Sequence, residues 1–288
     1  MTVLLFAALT LRELMRRRLA AAVGFVTLAI VAFTAWGFHR LTVATVGGVT
    51  LPEPALRATA AGIVILLAFL FSFVLAIGAA LIGAPALGES LANGEILAVL
   101  ARPIRRAELL AGRWLGTLVA LVLFAAVAGG AELLVVRAIT GYVPPHPLGA
   151  LAYLAGAAAV VTTAAIALAT RLPVIAAGAV AALLFGLAWI GGIVETIGLA
   201  LNNDRLADAG TLVALAFPSD ALWRGALYDL QPAVFSALAA TMSPSAAAGG
   251  VNPFSAAAPP PAALLAWTAG WVLVVFGAAL ASFRTRDL

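Results

Sequence analysis

The sequence predicts an all-α integral membrane protein: six transmembrane helices, an N-terminal amphipathic interfacial helix, and a short cytoplasmic helix between spans two and three. Three observations carry that prediction. Of 288 residues, 64% are apolar and only 10% are charged, against roughly half and roughly a quarter in a soluble domain. Uncharged apolar runs of about 20 residues, the length that crosses a bilayer core, recur along the chain. The segments between them alternate between arginine-dense and arginine-poor, as the positive-inside rule requires.

The elements follow in order. Residues 1–18 carry an apolar stretch first and the Arg16-Arg17-Arg18 cluster after it, the reverse of a secretory signal. Leu4, Ala8, Leu11 and Met15 fall on one helical stripe, with Arg12, Glu13 and Arg16 elsewhere, so this segment is expected to lie on the inner membrane surface. Span one is residues 19–38. Residues 58–88 lack charge, and Pro85 with the glycines around it predicts that span two covers 58–82. A cytoplasmic region, 83–113, leads into span three at 114–136, which is extended past Glu132. Spans four and five follow at 147–170 and 172–194. An extracytoplasmic loop is expected over 195–262, then span six at 263–283, the whole forming one domain, 1–288.

Six spans place both termini on one side. One set of connecting segments holds Arg12, Arg16, Arg17, Arg18, Arg102, Arg105, Arg106, Arg113, Arg171, Arg284 and Arg286. The other holds Arg40, Arg57, Arg137, Arg205 and Arg224, offset by acids such as Glu53, Asp204, Asp208, Asp220 and Asp229. Both termini are therefore expected in the cytoplasm, in the inner (plasma) membrane.

Composition also excludes chemistry. There is no Cys, which removes disulfides, thiol nucleophiles and thiolate metal sites. All 16 basic residues are Arg, so a phosphate-binding P-loop lysine and a Schiff-base lysine are both absent. His39 and His146 are the only histidines; both fall near the outer face, and neither a metal site nor a Ser/His/Asp arrangement is read from them. No catalytic residue, resident cofactor or nucleic-acid surface is expected. Any ATP-driven work must come from another polypeptide.

The densest loop is Leu87-Gly-Glu-Ser-Leu-Ala-Asn-Gly-Glu-Ile-Leu-Ala-Val-Leu-Ala-Arg-Pro-Ile-Arg-Arg-Ala-Glu-Leu-Leu-Ala-Gly-Arg113, with Glu89, Glu95 and Glu108 among Arg102, Arg105, Arg106 and Arg113. Ile96, Leu97, Val99 and Leu100 give a short apolar face after Gly94, and Pro103 stops that helix by lacking an amide donor and restricting Arg102. The order Glu89, Gly94-Glu95-Ile96, Arg102-Pro103-Ile104-Arg105-Arg106, Gly112-Arg113 resembles the ABC-2 type permease family, the membrane subunits of ATP-driven exporters. Arg113 stands where the family usually has Lys.

The resemblance covers most of the chain and implies a role for each part. In such permeases this region is a coupling helix held in a groove of an ATPase subunit, which binds ATP and Mg. It implies Glu89, Glu95, Arg102 and Arg106 as the charged rim of that contact, with Ile96, Leu97 and Leu100 as its apolar centre. It also implies pairing with a second permease copy or a sibling.

A second, weaker match is Pro218, Asp220, Trp223 and Arg224, within Ala216-Phe-Pro-Ser-Asp-Ala-Leu-Trp-Arg224. A re-entrant or interfacial helix anchored by Trp223 and Tyr228 is expected there, followed by an irregular excursion from Gln231 to Pro261. Glu132 and Glu195 near outer span ends have two readings: snorkelling to the interface, or lining an outer gate or cation site. Gly129-Gly130 and Gly191-Gly192 read as close helix packing or as hinges. Two other uses of the chain stay open at this point, transmission of force to an extracytoplasmic partner and ion-gradient transport or a channel, as does the identity of any substrate.

Overall fold

A computed structural model describes residues 2–16, 18–43, 45–46, 49–92, 105–232, 254, 256 and 258–285. Nine helices account for nearly all of these residues: α1 (Thr2–Arg16), α2 (Arg18–Thr42), α3 (Glu53–Ala92), α4 (Arg106–Thr140), α5 (Pro147–Ala169), α6 (Val174–Ala200), α7 (Asp204–Ala216), α8 (Ser219–Leu230) and α9 (Ala262–Arg284). Between α2 and α3 a minimal antiparallel pair, β1 (Thr45–Val46) and β2 (Val49–Thr50), matches Thr45 to Thr50 and Val46 to Val49. Six helices are long and apolar enough to cross a bilayer: α2, α3, α4, α5, α6 and α9.

The core is built from small residues. Ala60, Ala61, Ala79, Ala80 and Ala84 of α3 face Ala157, Ala158, Val160, Val161 and Ala165 of α5 and Ala177, Ala181 and Ala188 of α6, all buried. Alanine and glycine faces let apolar helices approach closely, so that backbone dispersion replaces the hydrophobic drive that lipid does not supply. The periphery has the opposite character. On α2, Phe25, Leu28, Phe33 and Trp36 are exposed, a surface that hydrocarbon covers and water does not.

Several boundaries differ from those the sequence predicts, each for a physical reason. Helix α3 does not stop near Ile82; it runs through Pro85 to Ala92. Proline leaves the Leu81 carbonyl without its helical donor. The chain is nevertheless held straight on both sides, by Ala80 and Ala84 against Gly178 and by fully buried Leu87. Packing outweighs the one missing bond, as in other membrane helices that contain proline. Helix α4 starts at Arg106, earlier than residue 114, and passes through one wide π-helical turn at Ala125–Gly129. That turn shifts the register so that Gly129 meets Leu151 and Phe71. Gly141, in the left-handed conformation (φ 68°), ends the helix with its amide on the Arg137 carbonyl at 3.0 Å.

The segment 195–262, expected as an extracytoplasmic loop with one short re-entrant or interfacial helix near Trp223, contains two packed helices. Helix α6 continues to Ala200, and α7 folds back onto it after a turn capped by Asn203, whose Oδ1 accepts from the Leu206 amide at 3.2 Å. Any side chain at Gly198 or Gly210 would strike the facing backbone, at Ala207 and Glu195 respectively. The two helices therefore touch backbone to backbone. Helix α8 then plunges against α5: nine of its 12 residues are buried. Trp223 is 4% exposed and packs on Phe69 at 5.6 Å between ring centroids. It is a core residue, which corrects the expectation of an interfacial anchor.

Candidate functional site

Polar chemistry collects at the two ends of the bundle. Val174 and Glu195 mark those ends along α6, roughly 30 Å apart at 1.5 Å per helical residue.

At the Glu195 end, three of the sequence-predicted residues meet. Arg224 Nε donates to Asp220 Oδ2 at 2.7 Å, one turn back on α8. Its Nη2 donates to Glu195 Oε2 at 2.8 Å and to the Gly192 carbonyl at 2.9 Å. Thr211 of α7 completes the set by donating to Glu195 Oε1 at 2.9 Å. Gly192 makes the approach possible, because a Cβ there would sit on the Asp220 carboxylate. Burial raises the Asp220 pKa, and the Arg224 charge and hydrogen bond oppose that rise. Two carboxylates around one guanidinium leave the group with a net negative formal charge. Glu195 is thus not a snorkelling interfacial acid; it is the α6 anchor for α7 and α8.

A second tie at this end involves Asp229 and Tyr142. Asp229 faces His146 Nδ1 at 3.4 Å, and its backbone carbonyl accepts from the His146 amide at 3.1 Å. The Tyr142 hydroxyl donates to the Leu230 carbonyl, and burial pushes the phenol up to about 12. Gln231 binds both backbone groups of Ala256. The C-terminal end of α8 is therefore sewn to the loop before α5 and to the segment before α9. Glu132 does not join either group. It lies about two turns inside α4, accepts from Thr34 of α2 at 3.3 Å, and has a second carboxylate oxygen that is buried with no partner among the described residues. Pro218 is buried and only leads into α8.

At the other end, Gly94, Glu95, Ile96, Leu97, Leu100, Arg102 and Pro103 lie outside the described residues; Glu89 is in the last turns of α3. Arg106 is described, at the first residue of α4. Its Nη1 donates to the carbonyls of Phe283 and Arg284 at 3.2 Å each, with the guanidinium 6.0 Å from the Phe283 ring centroid. Arg171, in the turn after α5, grips the same helix end: Nε to Ser282 Oγ at 2.8 Å, and Nη2 to Thr285 Oγ1 at 2.8 Å and the Ser282 carbonyl at 3.3 Å. Arg113 pairs with Glu13 of α1 at 3.2 Å.

Helix α1 sits on Gly112 and Gly116 of α4, where a Cβ would press on Phe6, Ala7 and Thr10. Leu4, Leu5, Leu9 and Met15 are left exposed. The Asp220/Arg224 spacing of four was visible in the sequence as a helical pair. The sequence also marked Gly192, with Gly191, as a close-packing or hinge glycine, but neither Thr211 nor the bonds of Arg171, because these act only across long-range contacts.

This arrangement defines a polytopic α-helical membrane protein with no convergent catalytic set among the described residues, its charges serving to fasten helices at both bundle ends. The family described as ABC-2 family transporter protein matches residues 6–288, and the chain belongs to it. Comparison with curated proteins finds no match.

Proposed function

We propose that this chain is the permease subunit of an ABC exporter, forming the translocation path as a pair of permeases and driven by ATP hydrolysis in a separate ATPase subunit. The single observation that carries the reading is the family match along the whole six-helix architecture. The absence of any lysine supports it, since a P-loop within these residues would lack its phosphate-binding side chain. The Arg-rich end, with Arg105, Arg106, Arg113, Arg171 and Arg284, is then cytoplasmic by the positive-inside rule, in the plasma membrane. The region 83–113, between the second and third spans, is the coupling region. Closure of the ATPase dimer displaces it, and α1, clipped to the start of α4, moves as part of the same unit.

Purification from the native host in mild detergent tests the class: a P-loop ATPase is expected to co-purify, and the reconstituted complex to couple hydrolysis to solute movement. Leu97→Asp and Glu95→Arg are expected to abolish that coupling while the chain still inserts. Solute movement by the chain alone in liposomes, without any ATPase, would overturn the reading.

A further inference from the structure

The C-terminal end of α9 is an unusual place for two arginines to converge. The last four carbonyls of any helix lack helical donors, and in an exposed helix end water supplies them. Here Arg106, the first residue of α4, covers the Phe283 and Arg284 carbonyls, and Arg171 covers Ser282 and Thr285. Thr170 Oγ1 adds a 2.8 Å bond to Ser282 Oγ. At its other end α9 is tied in the same way: Trp267 Nε1 donates to the Leu215 carbonyl at 3.0 Å and Trp271 Nε1 to the Ala216 carbonyl at 2.9 Å. These are the free C-terminal carbonyls of α7. Few α9 residues are buried, Thr268, Ala279 and Phe283. Ala279 and Phe283 pack with Leu87, Leu109 and Leu110 at the same end that the arginines hold.

Arg106 opens α4 within the 83–113 coupling region. We infer that Arg106 is a positioning residue that links displacement of that region to α9, so that the last span moves with the start of α4. Arg171 holds the same helix end to the turn between α5 and α6 and is the hinge side of the joint. This rests on the ATPase-coupled reading above. It assigns Arg106 to the permease's internal transmission, in place of the ATPase-facing rim.

The chain has no cysteine, so a single Ala281→Cys, exposed on α9, gives one thiol for a water-soluble maleimide. Labelling rates are compared in the complex with its ATPase, nucleotide-free and vanadate-trapped. With Arg106 present, the two states are expected to label at different rates. With Arg106→Ala the ATPase still co-purifies but the difference between states is lost, and Arg106→Lys, which keeps a cationic donor, restores part of it. Arg106→Gln replaces the alanine variant should that one fail to insert.

Each other result overturns a defined part. A state-dependent difference that survives in Arg106→Ala overturns the inference. Loss of the ATPase from the Arg106→Ala complex returns Arg106 to the docking rim and overturns it too. If the chain with Arg106 intact binds no ATPase, the coupled reading itself fails, and this inference with it.

Discussion

Arg224 on α8 lies 2.8 Å from Glu195 on α6, although the whole of α7 separates the two in the chain. The contact closes a three-helix unit, because Glu195 also holds Thr211 of α7 and Arg224 also holds Asp220. Asp220 is buried while Glu195 and Arg224 are partly exposed, so removing Arg224 strands chiefly the Asp220 charge, at about 1–3 kcal/mol. Arg224→Met is therefore expected to lower thermal stability in detergent sharply. The triple replacement Glu195→Leu, Asp220→Leu, Arg224→Met, which removes every charge, is expected to recover much of the loss.

The same group gives a pH signature. Burial raises the Asp220 pKa, and Arg224 opposes the rise. A carboxyl whose folded-state value is raised contributes stability that is fully present below its unfolded value and lost as pH rises through the folded one. In Arg224→Met the opposing charge is gone, so ionising Asp220 becomes more costly. The destabilisation of that variant relative to the parent is expected to shrink as pH falls from about 8 towards about 4. Melting curves across that range check it; a gap that stays constant with pH would exclude Asp220 as its source.

Tyr142 carries a simpler linkage. Its hydroxyl is the donor to the Leu230 carbonyl, and its pKa is pushed up to about 12 by burial. The stability from the protonated phenol is fully present below the ordinary value of about 10 and is lost as pH climbs from there through the raised value. Ultraviolet phenolate titration is expected to show a late-ionising step that Tyr142→Phe removes. The same variant leaves a buried carbonyl without its donor, for an expected cost of about 1–3 kcal/mol.

How far the sequence speaks can be judged residue by residue. Apolar run length is local in the chain, so six apolar helices were legible, while the family was legible through the resemblance in residue order from Glu89 to Arg113. Pro85 was misleading because a helix's survival there depends on Ala80, Ala84 and Leu87 finding partners on other helices. A helix at α8 was expected, but α7 and the packing of both onto α6 were hidden for a related reason. Asp204, Arg205, Asp208 and Asp220 make the segment look like a solvated loop, and only Gly198, Gly210 and Gly192 reveal that its helices can press against α6. Those glycines are interpretable once the facing backbone is known, and not before. Arg106 shows the same limit at the site level: its charge was legible, the carbonyls it serves were not.

Helix α1 offers a test of backbone contact. Gly116 has the Ala7 carbonyl 2.6 Å and the Thr10 Cβ 2.8 Å from where a Cβ would lie, and neither can yield without moving α1. Gly116→Val is therefore expected to lift α1 from α4 while the rest of the bundle persists, since the α3–α5–α6 core is formed elsewhere. Trypsin reports the release, as Arg16 ends α1, Arg18 begins α2 and Arg17 lies between them in the sequence. Faster cleavage there in Gly116→Val, with unchanged melting of the remainder, is the expected pair of results. Cleavage at the parent rate would show that α1 is held by its exposed apolar face, Leu4, Leu5, Leu9 and Met15, and not by α4.

Glu132 supplies the last test, on the periphery of the bundle. One of its oxygens accepts from Thr34 at 3.3 Å, and the other is buried with no partner among the described residues. Unsatisfied buried polar atoms are expensive, and replacing them by an apolar group of like shape is often neutral or favourable. Glu132→Leu is accordingly expected to leave stability unchanged or raised. Thr34→Val, which removes the single partner but keeps the carboxylate, is expected to lower it by about 1–3 kcal/mol. In the double variant the Thr34 effect should vanish, because no carboxylate remains to be stranded. A Glu132→Leu chain that melts well below the parent would mean that this oxygen meets a group outside the described residues.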